Sequence, residues 1–237
     1  MIQFLSEKFL KKQGAIFGIL FFLIIIIQQS CLAFGDNFVK QNDEFTCAPV
    51  SSYNLVREIC PQCRGQNIEN FVKLEKTDVN GTTSYNLCRG LEKYFKSQGL
   101  KSDIKYFGIK KVRKYKTGSE IDFKTLKKAL EDGYGAIINF GVYSKNSEGF
   151  YVRQWGHYVN LLPAGENSLA VFDPYDKENK FSAFVLKKTG GVNLKNINDN
   201  ENYQNLKEVY FVENKINYLQ ENEFAILNGV FLIKVFE

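Results

Sequence analysis

The chain has one histidine and four prolines in 237 residues. Each scarcity removes something. The single histidine, His157, leaves the C-P-Q-C pair (Cys60 and Cys63) and Cys88 without a fourth ligand close in sequence, so no zinc site is expected. Alanine, proline and arginine are sparse while Lys, Asn, Ile, Phe and Tyr abound, the bias of an AT-rich genome and silent about activity. No internal repeat stands out. No compact basic stripe does either: the net charge is +5, but acidic residues are mixed among the basic ones, so no nucleic-acid partner is expected. The most basic stretch, residues 105–116, reads as a solvated strand face. With 44% hydrophobic and 15% aromatic residues, the chain has enough apolar surface for a sizeable core.

The N-terminus looks like an export signal. Lys8, Lys11 and Lys12 precede an unbroken apolar run at 15–27. As a helix, that run would span roughly 20 Å at ~1.5 Å per residue, short of the ~30 Å hydrocarbon core. A charged start, a short apolar run and small residues after it describe a secretory signal. Ala33 and Gly35 are candidate cleavage positions. Lipidation of Cys31 and retention as an anchor stay open, and either would be the only membrane attachment. The expected organisation is therefore 1–35 as signal or anchor and 36–237 as one exported domain. Four cysteines follow Cys31. If Cys47 stays free, at most one disulfide forms among Cys60, Cys63 and Cys88, and a bridge to Cys88 is expected over the tight Cys60–Cys63 loop.

Helices are expected after Cys47 (48–59, with Val50, Tyr53 and Val56 inward), after Thr82 and Thr83, and over 123–132. The second places Leu87, Cys88, Leu91, Tyr94 and Phe95 on one face and stops at Gly99. Strands are expected at 136–140, 158–162, 169–172, 210–212 and 230–236, with a turn at 163–168. The stretch 188–205, rich in Asn, Gly and Lys, reads as a loop or insertion. Helices first and strands last predict an α+β fold with an antiparallel C-terminal sheet.

The lone histidine opens the apolar strand Y-V-N-L-L after Gly156. Symmetric pairing about Gly165 would set His157 directly opposite Asp173, with Cβ atoms about 4.5–5.5 Å apart. Asp173 would then fix the ring tautomer and support the imidazolium. Asp176 is the reserve carboxylate. Cys47, ahead of Ala48-Pro49, opens a helix whose positive dipole end favours a thiolate. Gln41, six residues earlier, offers an amide that could stabilise an oxyanion. Taken singly, the four also read as a structural histidine, a strand-ending Asp-Pro, a buried or bridged cysteine and a surface glutamine. Trp155 and Tyr158, beside the base, read equally as exposed residues lining a cleft and as core packing.

Q-N-D-E-F-T-C-A-P (41–49), W-G-H-Y-V-N-L-L (155–162) and V-F-D-P (171–174) together resemble the bacteriocin-processing cysteine peptidases, which are papain-like in fold. G-T-T (81–83) and the stretch 126–140 agree with that family's order. Thr46 and Ala48 stand where its members often carry Asp and Gly. The resemblance implies Cys47 as nucleophile, His157 as base, Asp173 as orienting acid and Gln41 as oxyanion donor. It implies peptide or protein substrates, no cofactor and no metal. With no ATP-binding cassette or multi-span region in the chain, the form expected is the stand-alone one, without a fused transporter. An amidase or transpeptidase built on the same triad, and an inactive papain-like binding module, are the alternative readings.

Overall fold

Side-chain caps and glycine stops set the helix boundaries. The computed structural model describes residues 38–63, 67–119, 122–162, 168–177, 182–196, 204–213 and 216–236. The expected export signal at 1–35 and most of the expected turn at 163–168 lie outside them. Helix α1 is Cys47–Ile59, α2 is Ile68–Leu74, α3 is Ser84–Ser97 and α4 is Phe123–Glu131. Asn67, Thr83 and Asp122 precede α2, α3 and α4, and the side chain of each accepts a first-turn N–H. Gly99 and Gly133 follow α3 and α4 at φ +74° and +84°, the left-handed conformation that ends a helix without a Cβ penalty. Helix α1 differs: Thr46 at its start makes no capping side-chain bond.

Eight strands follow: β1 Lys101–Gly108, β2 Lys116–Gly118, β3 Gly135–Lys145, β4 Tyr151–Leu162, β5 Ser168–Phe172, β6 Ser182–Lys195, β7 Gln204–Val212 and β8 Glu223–Phe236. They form one sheet in the order β2-β1-β8-β3-β4-β5-β6-β7, and Phe211 of β7 returns to pair Ile226 of β8. The sheet thus closes on itself from β8 round to β7. The class is α+β, as expected, but the sheet is mixed and not strictly antiparallel. β1 pairs β2 in parallel, and β4 meets β6 in parallel at Tyr151↔Leu194 and Val152↔Lys195.

Three further expectations need correction. Strands β1 and β2 precede α4, so helices do not all come first. The basic stretch is not simply a solvated strand face: Lys110 is buried, and Lys116 donates to the carbonyls of Gly108 and Lys110. Residues 188–195 are strand and not loop. There Val192 and Leu194 pack with Tyr143, Val209 and Ile226 in a small apolar cluster. That alternating burial outweighs the turn-like composition around it.

Helices α1, α2 and α3 cover one side of the sheet. Leu55, Phe71, Leu87, Leu91 and Phe95 from the helices meet Tyr106, Ile137 and Phe231 from the strands in one core. A second core, with Ile138, Phe140, Val159, Leu161 and Leu232, is joined by Leu126 of α4. Helix α1 is bolted to β4: Ser51 Oγ donates to the Tyr158 carbonyl at 3.1 Å, and Asn160 Nδ2 donates to the Ser51 carbonyl at 2.9 Å. It also lies close over β3, since a Cβ at Gly135 would fall 2.4 Å from Leu55 Cδ1.

The disulfide joins Cys60 to Cys63, and Cys88 is free and buried. A bridge to Cys88 was the expectation. The turn after α1 decides otherwise: Cys63 N–H donates to the Cys60 carbonyl, which brings the two Cα atoms to 5.2 Å, inside the bridging range.

Glu75, just after α2, is fully buried, and its carboxyl oxygens find no well-formed hydrogen bond. Burial pushes its carboxyl well above the ordinary range. The neighbouring Ser52 hydroxyl opposes that only in part, and negative charge at Cys47 adds to it. The folded chain therefore holds a proton that the unfolded chain releases once the pH passes the ordinary carboxylate range, so stability falls as pH rises from there toward the folded pKa. The neutral isostere Glu75→Gln should raise the melting temperature at pH 8 and leave it near the wild-type value at pH 4, as read by calorimetry. An equal shift at both pH values would mean that ionisation of Glu75 does not matter.

Candidate active site

The segment before α1 is tied down from three sides. Asn54 on α1 clamps Val39 with a pair of bonds: it accepts the Val39 N–H at 2.9 Å and donates to the Val39 carbonyl at 3.0 Å. Gln41 N–H donates to the Pro174 carbonyl at 2.9 Å, which ties this segment to the residue after Asp173. Asp43 shapes the rest. Its carboxylate accepts the N–H groups of Phe45 and Thr46, and its carbonyl accepts from Gln41 Nε2 at 2.6 Å. Cys47 then opens α1 as a free thiol, 5% exposed. No side chain caps α1, Pro49 has no N–H, and the Val50 N–H donates to the Thr46 carbonyl, so in the first turn the N–H groups of Cys47 and Ala48 are the ones left to face a ligand. Gln41 is 3% exposed and not on the surface. Its amide nitrogen carries two hydrogens, of which Asp43 takes one.

Strand β4 supplies the ring. His157 is 4% exposed and stands opposite Phe140 of β3. Its Nε2 lies 2.6 Å from Asp173 Oδ1. The expected register is off by two residues: Asn160 faces Phe172, where symmetric pairing about Gly165 would give Ala170. His157 and Asp173 are therefore not directly opposed, and Asp173 lies just past the end of β5. A two-residue offset keeps side chains on the same face, so the carboxylate still reaches the ring. Asp173 Oδ1 also accepts the Tyr175 N–H at 2.8 Å, and Oδ2 accepts the Tyr218 hydroxyl at 2.5 Å. Lys40 donates to the main-chain carbonyls of Asp173 and Asp176, which fixes this corner. Asp176, the reserve candidate, contributes that carbonyl and is itself buried.

Nε2 being taken by Asp173, Nδ1 is the ring nitrogen left for Cys47, whose charge the ring feels. Burial on its own would push the imidazolium's pKa down. The Asp173 carboxylate and the Cys47 sulfur outweigh it and lift the pKa to about 10. For Asp173, burial favours the neutral acid, but the imidazolium and the hydrogen bonds from Tyr218 and Tyr175 hold its pKa below the ordinary value. Burial and the Asp173 charge keep the Tyr218 phenol protonated, so it acts only as a donor here.

Gln41, Cys47 and His157 share the wall of a cleft of about 660 Å³. Phe45 and Val79 stand exposed on its lining, together with Trp155. Trp155 takes the cleft reading and Tyr158 the core one. Tyr158 is buried, and its hydroxyl donates to the Thr82 carbonyl at 3.0 Å, so it forms the floor and not an exposed wall. Among the described residues no cluster of three or more His, Cys, Asp or Glu side chains could hold a metal ion. The sequence offered no signal for Tyr218, which arrives from the segment between β7 and β8, or for the bracing role of Asp43.

No family model matches the chain, and no curated protein matches it. Among solved structures, the peptidase domain of Streptococcus ComA, a bifunctional ABC transporter of a quorum-sensing pathway, aligns over 62% of this chain and 84% of that one. The identity is 17% and the TM-score 0.40. That is a distant likeness, and the chemistry considered below stands on the geometry of the site.

A sulfur beside an imidazole that is itself hydrogen-bonded to a carboxylate makes an arrangement that can hold or pass one proton. The chain's single histidine makes this measurable, because one imidazole gives one set of ring resonances. In the wild type, ring ¹⁵N shifts should report imidazolium through pH 8. Asp173→Asn removes the charge that offsets burial, so the titration should move below ~6.5, the unperturbed value. A midpoint unchanged by that substitution would contradict the electrostatic account.

Proposed function

We propose that this chain is an exported, papain-like cysteine peptidase of the stand-alone kind, with Cys47 as nucleophile, His157 as acid and base, and Asp173 as the orienting group. The observation that carries the reading is the buried, hydrogen-bonded His157–Asp173 pair that shares the wall of an open cleft with the free Cys47 thiol. A thiol destined for a structural bridge has no need of an imidazole held between two acidic groups, and Cys47 is unbridged. The Cys60–Cys63 disulfide supports residence outside the cytoplasm.

The chemistry is acyl transfer through a thioester. The Cys47 sulfur attacks the peptide carbonyl while its proton resides on His157. The Cys47 N–H and the second Gln41 Nε2 hydrogen donate to the developing oxyanion. His157 then gives its proton to the departing amine, and it activates the water that releases the acid product. Asp173, fixed by Tyr218 and Tyr175, keeps Nε2 occupied so that Nδ1 is the nitrogen that works.

Hydrolysis of a mixed, internally quenched peptide library by the purified chain tests this. Cys47→Ala should lose turnover altogether, and Gln41→Ala should lower kcat by roughly 10²- to 10³-fold with a smaller change in KM. Because protonation of the leaving amine requires imidazolium, kcat/KM should hold through neutral pH and fall once the pH passes about 10. Full activity in the Cys47→Ala protein would refute the assignment.

A further inference from the structure

The cleft holds a cation that the mechanism leaves unused. Arg153 lies on β4 four residues before His157, at a bulge: Val142 faces Trp155 and Tyr143 faces Arg153, so Gln154 has no partner across the ladder. Bulges re-aim side chains and gather near sites. Here the guanidinium crosses Gly156, since a Cβ on that residue would fall 2.4 Å from Arg153 Nη2. Glycine at 156 leaves the space that the guanidinium occupies, one residue from the imidazole.

Arg153 lines the same cleft as Cys47 and His157. Its Nε is buried and meets no acceptor, and the side chain has no ion pair among the described residues. That contrasts with the basic side chains elsewhere, where Lys105 pairs Asp103, Lys114 pairs Glu92 and Lys188 pairs Glu208. Glu44 also lines the cleft but is exposed and makes no bond to Arg153. The groups that feel its charge are the phenols of Tyr143 and Tyr158, which burial keeps protonated, so neither neutralises it. A buried donor on a cationic group without an acceptor is costly, and it becomes satisfied when an anion arrives.

We propose that Arg153 is a subsite for a substrate carboxylate, so that this chain favours peptides bearing an acidic group beside the bond it cuts. The planar guanidinium presents parallel N–H donors that match the two oxygens of a carboxylate. Extended peptide advances roughly 3.3–3.6 Å per residue, and the guanidinium lies over the residue next to the base. The carboxylate therefore sits within about two residues of the scissile bond. It is either an Asp or Glu side chain or the peptide's own C-terminus. The inference rests on the peptidase reading for its substrate class, but it can be tested without turnover.

The test is equilibrium binding to the full chain carrying Cys47→Ala, read by fluorescence anisotropy. The probes are fluorescein-labelled alanine-rich decapeptides with a single Glu moved through each position, their Gln counterparts, and free-acid and amidated versions of the Gln set. One Glu position, or the free acid, should bind about tenfold more tightly than its neutral counterpart at low salt, and the gap should narrow as salt is added. Preference for an internal Glu identifies a side-chain subsite, and preference for the free acid alone identifies recognition of the chain end. Adding Arg153→Gln should collapse the charged-to-neutral ratio toward one, while Arg153→Lys should keep part of it. Equal binding of charged and neutral peptides, a preference that survives Arg153→Gln, or no binding by any carboxylate peptide would each overturn the proposal. Loss of turnover in the wild type with the preference intact would instead count against the peptidase reading alone.

Discussion

The contact on which the site depends is the 2.6 Å pair between His157 and Asp173, two ionisable groups with 4% and 3% of their surface in water. Such a pair has no surplus of its own. Removing each ion from water costs several kcal/mol, and the mutual attraction offsets that only when the remaining lone pairs and protons are also met. The fold meets them from scattered places. Tyr218 supplies a hydroxyl from beyond β7, Tyr175 supplies a main-chain N–H, and the Cys47 sulfur adds its charge from the helical layer. Lys40 then ties the carbonyls of residues 173 and 176 to the segment that carries Gln41. Each of these elements has a reason to sit where it does only if the pair is present.

The division of labour between layers follows. A thiol at the first turn of a helix and an imidazole on a strand are held in separate pieces of secondary structure, so their separation depends on how the helix docks. Two hydrogen bonds between Ser51, Tyr158 and Asn160 set that docking along β4, and the missing side chain at Gly135 sets its closeness to β3. All of these residues are buried or carry no side chain, so water cannot substitute for the bonds. The same helix carries Asn54, which clamps Val39 and so positions Gln41. One rigid element thus locates two of the four candidate groups, and rigid elements hold such groups more closely than loops do.

How much was legible depended on whether the information was local. Thr83 with the apolar face after it specified α3, and the expected helix at 123–132 matches α4 almost to the residue, because caps and 3.6-residue periodicity act over a few positions. The His157–Asp173 contact was found for a reason that was half right. The hairpin does bring the two together, but in a register two residues away, which preserved the face by parity and replaced direct opposition with a diagonal reach. The disulfide was missed because a loop of three residues looks tight in sequence, whereas the turn after α1 is wound closely enough to close it. Strand β6 was missed because its polar residues face water on a strand whose other face is covered. Tyr218 was out of reach altogether, since nothing near it in sequence marks a phenol aimed at a carboxylate 45 residues earlier.

Electrostatics explains why the cleft can carry charges of both signs without their cancelling. The charge of the His157 imidazolium is offset by Asp173 and the Cys47 sulfur, with the ring and the sulfur set in the cleft wall. Arg153, only four residues along the strand, would be drawn into that group if β4 kept a regular alternation past Gly156. The extra residue at Gln154 breaks the alternation, and the bare Gly156 lets the guanidinium lie across the strand instead of joining the buried pair. A second cation brought against His157 would lower its pKa and undo the balance that keeps it protonated. The bulge thus keeps the two positive charges in separate roles, one committed to the proton relay and one left facing whatever enters the cleft.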